Sequence, residues 1–295
     1  MKPNPVLKKL GLQNTDRAVI IHTDDIGMCQ ASVSAFEEMW PAGIISSGAV
    51  MVPCPWFLAA AKMAATHPGM DLGIHLTLTS EWKTYRWGPV STHDPLSGLL
   101  DPEGYFYATT PEAQSNGQPA AVQIELMEQV KRGVAAGIDP THIDTHMGSV
   151  ACEKFMASYV QLGIQFHLPT MMFRLDEEGW KANGLDSETA RQAAGLVSQL
   201  EEMGLPLLDN ITSMPLDDPS HRLETAQELL TRLPAGITHF ILHPSKDTPE
   251  LRSITHDWAC RVADYETFKD DRLKQFLNQN GIHLIGYGDL KRLIQ

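Results

Sequence analysis

Two adjacent carboxylates, Asp24 and Asp25, close the apolar run Ala18-Val19-Ile20-Ile21-His22-Thr23 and open onto Gly27. A strand that ends in paired acids offers one carboxylate to a cation and leaves the other to take a proton. Three further stretches carry residues able to complete such chemistry: Gly73-Ile74-His75-Leu76, His142-Ile143-Asp144-Thr145-His146, and His243-Pro244. Two imidazoles and one carboxylate make a three-ligand set with an open position, the pattern of a catalytic rather than a structural zinc site. The carboxylate equally admits Mg²⁺, Mn²⁺, Fe²⁺ or Co²⁺. Such a cation polarises a carbonyl and lowers the pKa of its water to about 7. A carboxylate free of the metal then accepts the water's proton, and a histidine across the pocket protonates the leaving group. Asp24, Asp25 and His243 fill those roles. On a strand His142 and His146 share a face, so only one need touch the cation. His142 or Asp144 then orients a ligand from behind.

These residues need elements that bring them to one place. Apolar or β-rich runs fall at about 17–23, 44–52, 70–78, 141–146, 164–173, 206–213, 238–243 and 282–287. Helical patterns lie between most of them, at 29–40, 55–66, 120–136, 152–162, 187–203, 219–232 and 264–279, with Gly137, Gly163, Gly204 and Gly281 as stops. Eight strand candidates with helical returns indicate an α/β fold of parallel strands, and a closed (β/α) barrel suits this length. A doubly wound sheet is the runner-up. It usually carries a Gly-rich phosphate turn after its first strand, where this chain has Asp-Asp-Ile-Gly. In a barrel, side chains at the C-terminal strand ends converge on one mouth. Asp24 and Asp25 end the first strand, His75 lies late in the third, His146 ends the fourth and His243 ends the seventh.

Composition narrows the partners. The 295-residue chain is 43% hydrophobic and 20% charged, ordinary for a soluble globular protein, and its net charge of −13 does not favour nucleic acid or anionic lipid. The four cysteines lie far apart without a C-x-x-C pair, against a thiolate zinc site or a disulfide scaffold. No apolar stretch reaches about 18 residues and no leader-like h-region is present, so a cytoplasmic location without a membrane partner is the expectation.

Residues 79–119 break the rhythm with many Gly, Pro, Ser and Thr, plus Trp82, Tyr85, Trp87, Tyr105, Phe106 and Tyr107. A connection this long is often a functional lid, here read as an insertion over the barrel mouth in a single 1–295 domain. Trp87 and its neighbours stack on sugar faces while Arg86 or Lys83 anchors a phosphate or hydroxyls; or the tryptophans only pin the insertion. Arg174, after an apolar run ending at Phe173, is a candidate contact at the mouth, or an exposed arginine. His22 shares a strand face with Asp24 and either tunes it or fills space. His256, Asp257 and Arg261 stay open between a dimer contact, a solvated face and support of the site.

Taken in order, Asp-Asp-Ile-Gly at 24–27, Gly-Ile-His-Leu-Thr-Leu at 73–78, Thr-His-Ile-Asp-Thr-His at 141–146 and the later His243-Pro244 resemble the YdjC-like carbohydrate deacetylases, the family that includes the chitooligosaccharide deacetylases. The resemblance runs over nearly the whole chain. It implies a distorted (β/α) barrel, often dimeric, that hydrolyses the N-acetyl group of an amino sugar or short oligosaccharide with one divalent metal ion. Carried over by position, Asp25, His75 and His146 are the implied metal ligands, Asp24 the general base and His243 the general acid. The chain departs from the family's Asn-Ala-Asp-Asp-Phe-Gly at His22-Thr23 and Ile26. Met147-Gly148-Ser149 stand where further histidines are usual, and Ser245 where glycine is. These changes touch the substrate-facing rim and so bear on which sugar is used. Two rival functions are a barrel aldolase or isomerase that stabilises an enolate, and a non-catalytic carbohydrate-binding protein on a degenerate barrel. Neither Lys246 nor Asp247 is placed for the first, and retention of both Asp24 and His243 speaks against the second.

Overall fold

Arg17–Ile26 (β1) is an almost unbroken apolar and β-branched run, and all of it after Arg17 is buried. Continuous burial on both faces suits a parallel strand covered by helices outside and side chains inside. In the computed structural model, which describes residues 3–294, β1 is the hub of a seven-stranded parallel sheet. The other strands of the sheet are Ser47–Val50 (β2), Leu72–Leu76 (β3), Ile143–Thr145 (β4), Asn210–Ser213 (β5), Gly236–Leu242 (β6) and Ile282–Leu284 (β7), in the order β4-β3-β2-β1-β6-β5 with β7 against β1.

Register explains how β1 serves three neighbours. β6 runs beside it from Arg17↔Gly236 to Thr23↔Leu242. On its other side β7 takes the lower half, Arg17↔Ile282 to Val19↔Leu284, and β2 the upper half from His22↔Ser47 onward. The sheet edges β4 and β5 approach each other through two isolated bridges, Ile143↔Thr170 and Phe173↔Leu208. The regular strands thus make a half-barrel, and a thin seam of single-residue contacts closes it. This is the distorted α/β barrel that the family resemblance implies, more open than the closed barrel the strand–helix pattern suggests.

Two elements differ from the sequence pattern. The run 164–173 is not a strand: the helix Glu153–Phe166 takes its first residues and is capped by His167 with a left-handed φ of 54°, and the rest makes only the isolated bridges at Thr170 and Phe173. Apolar periodicity does not separate a buried helix end from a short strand. The stretch 264–279 is two helices, Trp258–Thr267 and Asp271–Gln279, because the Asp270 carboxylate accepts from Arg272 N and starts a new one.

After β3 the chain leaves the barrel for the long excursion expected there. It returns through bridges Thr79↔Tyr107 and Leu100↔Phe106, a helix Thr110–Asn116 with a capping box at Thr109 and Glu112, and the long helix Pro119–Ala135. No helix among the described residues is long and apolar enough to cross a membrane.

Candidate active site

A regular strand would point Asp24 and Asp25 to opposite faces. The β1–β2 register shifts between Thr23 and Ile26, and Asp25 takes a left-handed φ of 61°. This bulge turns both acids into the barrel mouth, a position-specific departure of the kind bulges make beside active sites. Gly48 on β2 leaves room for it, since a Cβ there would lie 2.6 Å from Ile26 Cδ1.

Three buried side chains then converge. Asp25 Oδ1 lies 3.1 Å from His146 Nδ1 and 3.6 Å from His75 Nε2. Ligand atoms of the three all fall within 4.8 Å of one another. The other atom of each group is already held. Asp25 Oδ2 accepts from Arg261 at 2.8 Å, His75 Nδ1 hydrogen-bonds Asp144 Oδ1 at 2.8 Å, and His146 Nε2 meets Glu81 Oε2 at 3.1 Å. Asp25 Oδ1 and His75 Nε2 are buried without a hydrogen-bond partner. A carboxylate behind a histidine fixes its tautomer and aims its free nitrogen, as in metal sites. The donor set therefore fits a divalent cation.

Electrostatics agree with that fit. Burial works to raise the Asp25 carboxyl, but His146, Arg261 and His243 outweigh it and hold the group well below the ordinary carboxylate range. Burial likewise works to lower His75 and His146. Asp144 and Asp24 nevertheless carry His75 up to about 9, and Glu81 and Asp25 carry His146 up to about 10. Without a metal both rings hold protons at neutral pH, so a cation entering here displaces them.

Asp24 sits beside this group without the same freedom on both oxygens. Oδ1 is taken by His22 Nδ1 at 2.7 Å, while Oδ2 lies 3.7 Å from His75 Nε2 and 4.0 Å from His243 Nε2. Despite its burial, His75, His22 and His243 keep Asp24 far below the usual carboxylate range, so it is ionised at neutral pH. His243 follows β6, and its backbone N–H is held by Asp264, itself paired with Arg222. Asp24, Asp25, His146 and His243 all line one cavity of about 440 Å³, walled on its apolar side by Trp82, Met171 and Ile241.

The structure brings together Asp24, Asp25, His75, His146 and His243, and it seats Asp144 behind His75. It does not bring in four others. Trp87 is buried one layer back, its indole N–H donating to Thr79 O, and Trp82 takes the place on the cavity wall. Arg86 is spent on Asp101 and Phe106 O, which pins the insertion to itself. Arg174 is buried between Glu201 and Asp209, and Asp209 also holds Ile237 N at the start of β6, the end of the strand away from the mouth. A desolvated arginine keeps carboxylate partners, and these take the polar contact the sequence assigned to the substrate. His142 does not reach the cation ligands; it contacts His22.

Residues missed or left open now have places. Arg261 bridges Asp25 and Asp257, and His256 and Thr255 line the same wall of the cavity. The i, i+4 spacing of Asp257 and Arg261 was the one local sign of that pair. Glu81 lies just after β3, and nothing in its neighbourhood of the sequence marks it.

The YdjC-like protein family model matches residues 18–279. A carbohydrate deacetylase of Thermoanaerobacter pseudethanolicus is 25% identical over 273 residues, covering 92% of this chain and 99% of the relative. A carbohydrate deacetylase of Thermus thermophilus is 28% identical over 272 residues, covering 92% and 93%. Among solved structures, an Enterococcus faecalis protein named for cellobiose-phosphate cleavage superposes with a TM-score of 0.76 at 21% identity, over 94% of this chain and 99% of that one, a likeness of fold.

Proposed function

This chain belongs to the YdjC-like protein family, and on that footing we propose that it hydrolyses the N-acetyl group of an N-acetylated amino sugar or short oligosaccharide and releases acetate. It is a carbohydrate deacetylase, as its relatives from Thermoanaerobacter and Thermus are named. One observation supports the residue roles: Asp25 Oδ1, 3.1 Å from His146 Nδ1, and the partnerless His75 Nε2 face each other at 3.6 Å, beneath the cavity that Asp24 and His243 share.

Asp25, His75 and His146 would hold one divalent ion, Zn²⁺ or Mg²⁺ with Mn²⁺, Co²⁺ and Fe²⁺ as alternatives. When bound, that ion supplies Lewis acidity toward the acetamide carbonyl and toward water. Asp24 takes the proton of the attacking water on Oδ2. His243 gives a proton to the departing amine from Nε2. Asp144 and Arg261 keep His75 and Asp25 from rotating away. Trp82 and its apolar neighbours cover the cavity and exclude bulk water, with the 79–119 insertion as lid.

The aldolase or isomerase reading is not favoured. No lysine lines the cavity among the described residues; Lys246 pairs with Glu38, and Asp247 with Arg252. The test is acetate release from N-acetylated mono- and oligosaccharides, with and without a 6-phosphate, by metal-reconstituted protein. Release by wild type but not by Asp24→Asn at equal metal content supports the roles. Turnover undiminished in Asp24→Asn overturns them. Assembly as a homodimer belongs to the same proposal through the family resemblance, and sedimentation checks it.

A further inference from the structure

Below the two acids the barrel is filled with ionisable side chains that no step above uses. His22 Nδ1 hydrogen-bonds Asp24 Oδ1 at 2.7 Å, and its Nε2 meets His142 Nε2 at 2.9 Å. His142 Nδ1 lies 3.0 Å from the Thr141 hydroxyl, which donates to Asp71 Oδ1. Asp71 also accepts from Ser47 Oγ at 2.9 Å and Gly288 N at 2.7 Å. Asp71 and Thr141 stand just before β3 and β4, at the strand ends opposite the mouth. The chain of contacts therefore crosses the barrel from one end to the other. Gly73 gives it passage, since a Cβ there would lie within 2.6 Å of the His142 ring. Tyr287 stacks on the other side of that ring at 3.8 Å between centroids.

Donors and acceptors can be counted along this path. The Asp24 carboxylate only accepts, so His22 carries a hydrogen on Nδ1. Thr141 gives its single hydrogen to Asp71 and so accepts from His142 Nδ1. Burial, with His22, His239 and His75 nearby, holds His142 well below the ordinary imidazole range. It thus has that one hydrogen, and its Nε2 accepts from His22. Asp144 Oδ2 lies 3.5 Å from His22 Nε2. His22, Asp24, Asp144 and His239 are close enough to hold a cation. Both His22 nitrogens are engaged, on Asp24 and on His142, while His239 Nδ1 meets the Tyr287 hydroxyl.

We propose that His22 is a positioning residue for Asp24, and that His142, Thr141 and Asp71 fix it from the far end of the barrel. The inference rests on Asp24 being the base. With Oδ1 anchored on His22, Oδ2 is the oxygen left facing the cavity. A single hydroxyl removed at the opposite end then alters the group that anchors it.

Thr141→Val keeps the volume and removes the hydroxyl. In that variant the His142 hydrogen moves to Nε2 and the hydrogen bond between the two rings reverses, read from ¹⁵N NMR of histidine-labelled protein. kcat falls about 5-fold with KM and metal content unchanged, and His22→Gln lowers kcat about 30-fold. The double variant is no slower than His22→Gln alone, and Thr141→Ser restores wild-type values. Unchanged His22 nitrogen signals in Thr141→Val, or kcat losses that multiply in the double variant, overturn the proposal. Should Thr141→Val not fold, Thr141→Ala against Thr141→Ser makes the same comparison. The NMR readout needs no substrate. If wild type releases no acetate from any sugar, the deacetylase roles fail while the tautomers still decide the chain of contacts.

Discussion

Two layers of histidine line the inside of this barrel and use their nitrogens differently. At the mouth, His75 spends Nδ1 on Asp144 and leaves Nε2 without a hydrogen-bond partner, 3.6 Å from Asp25 Oδ1. One layer down, His22 and His142 spend their ring nitrogens on each other, on Asp24 and on Thr141. A buried polar atom left unpaired costs roughly 1–3 kcal/mol. At the mouth that cost fits a place where something else is to bind; below it, the satisfied nitrogens of His22 and His142 fit a group to be held still. The contrast separates a reactive layer from a supporting one using histidines that look alike in the sequence.

The contrast breaks most completely at Asp25. Replacing it with alanine should abolish both the stoichiometric metal and acetate release, checked by elemental analysis alongside the assay; a variant that keeps its metal would move the ligand role elsewhere. Asp24→Asn should keep the metal and lower kcat by about 10³-fold. Acid should loosen the metal next. His75 and His146 are lifted to about 9 and about 10, so binding must expel up to two protons and should weaken by up to roughly 100-fold per pH unit below 9. Titration calorimetry in buffers of different ionisation enthalpy counts those protons. The sign reverses for the metal-free fold: raised imidazoles stabilise it below about 6.5, and that contribution fades as pH rises through 9 to 10. Asp144→Asn, acting through His75, should cost about 10–100-fold in metal affinity. Arg174→Ala sharpens the comparison from outside it. It should lower stability by about 3 kcal/mol in denaturant titration, by stranding Glu201 and Asp209, and leave KM untouched.

Much of the mouth was legible in the sequence because barrel geometry sends every strand's C-terminal end to one place. Asp24, Asp25, His75, His146 and His243 needed only strand ends to be located, and a short apolar run locates an end well. The bulge was not legible: period-two alternation alone would have parted the two acids, and only the slipped register with β2 rejoins them. Contacts between distant segments were equally hidden. Arg261 reaches Asp25 across 236 positions, and no local pattern announces such a pairing. Arg86 and Arg174 mislead for the complementary reason. An arginine near an apolar run looks available for substrate, yet in both cases folding brings carboxylates to it.

The left-handed backbone at Asp25 carries a consequence for how this position tolerates exchange. Aspartate and asparagine enter that region more readily than other residues with a side chain, and glycine enters it freely. Glutamate preserves the charge but suits the backbone poorly; asparagine and glycine suit the backbone and forfeit the charge. A saturation library at this codon should therefore divide into folded, inert proteins and poorly folded ones, with aspartate alone in neither class.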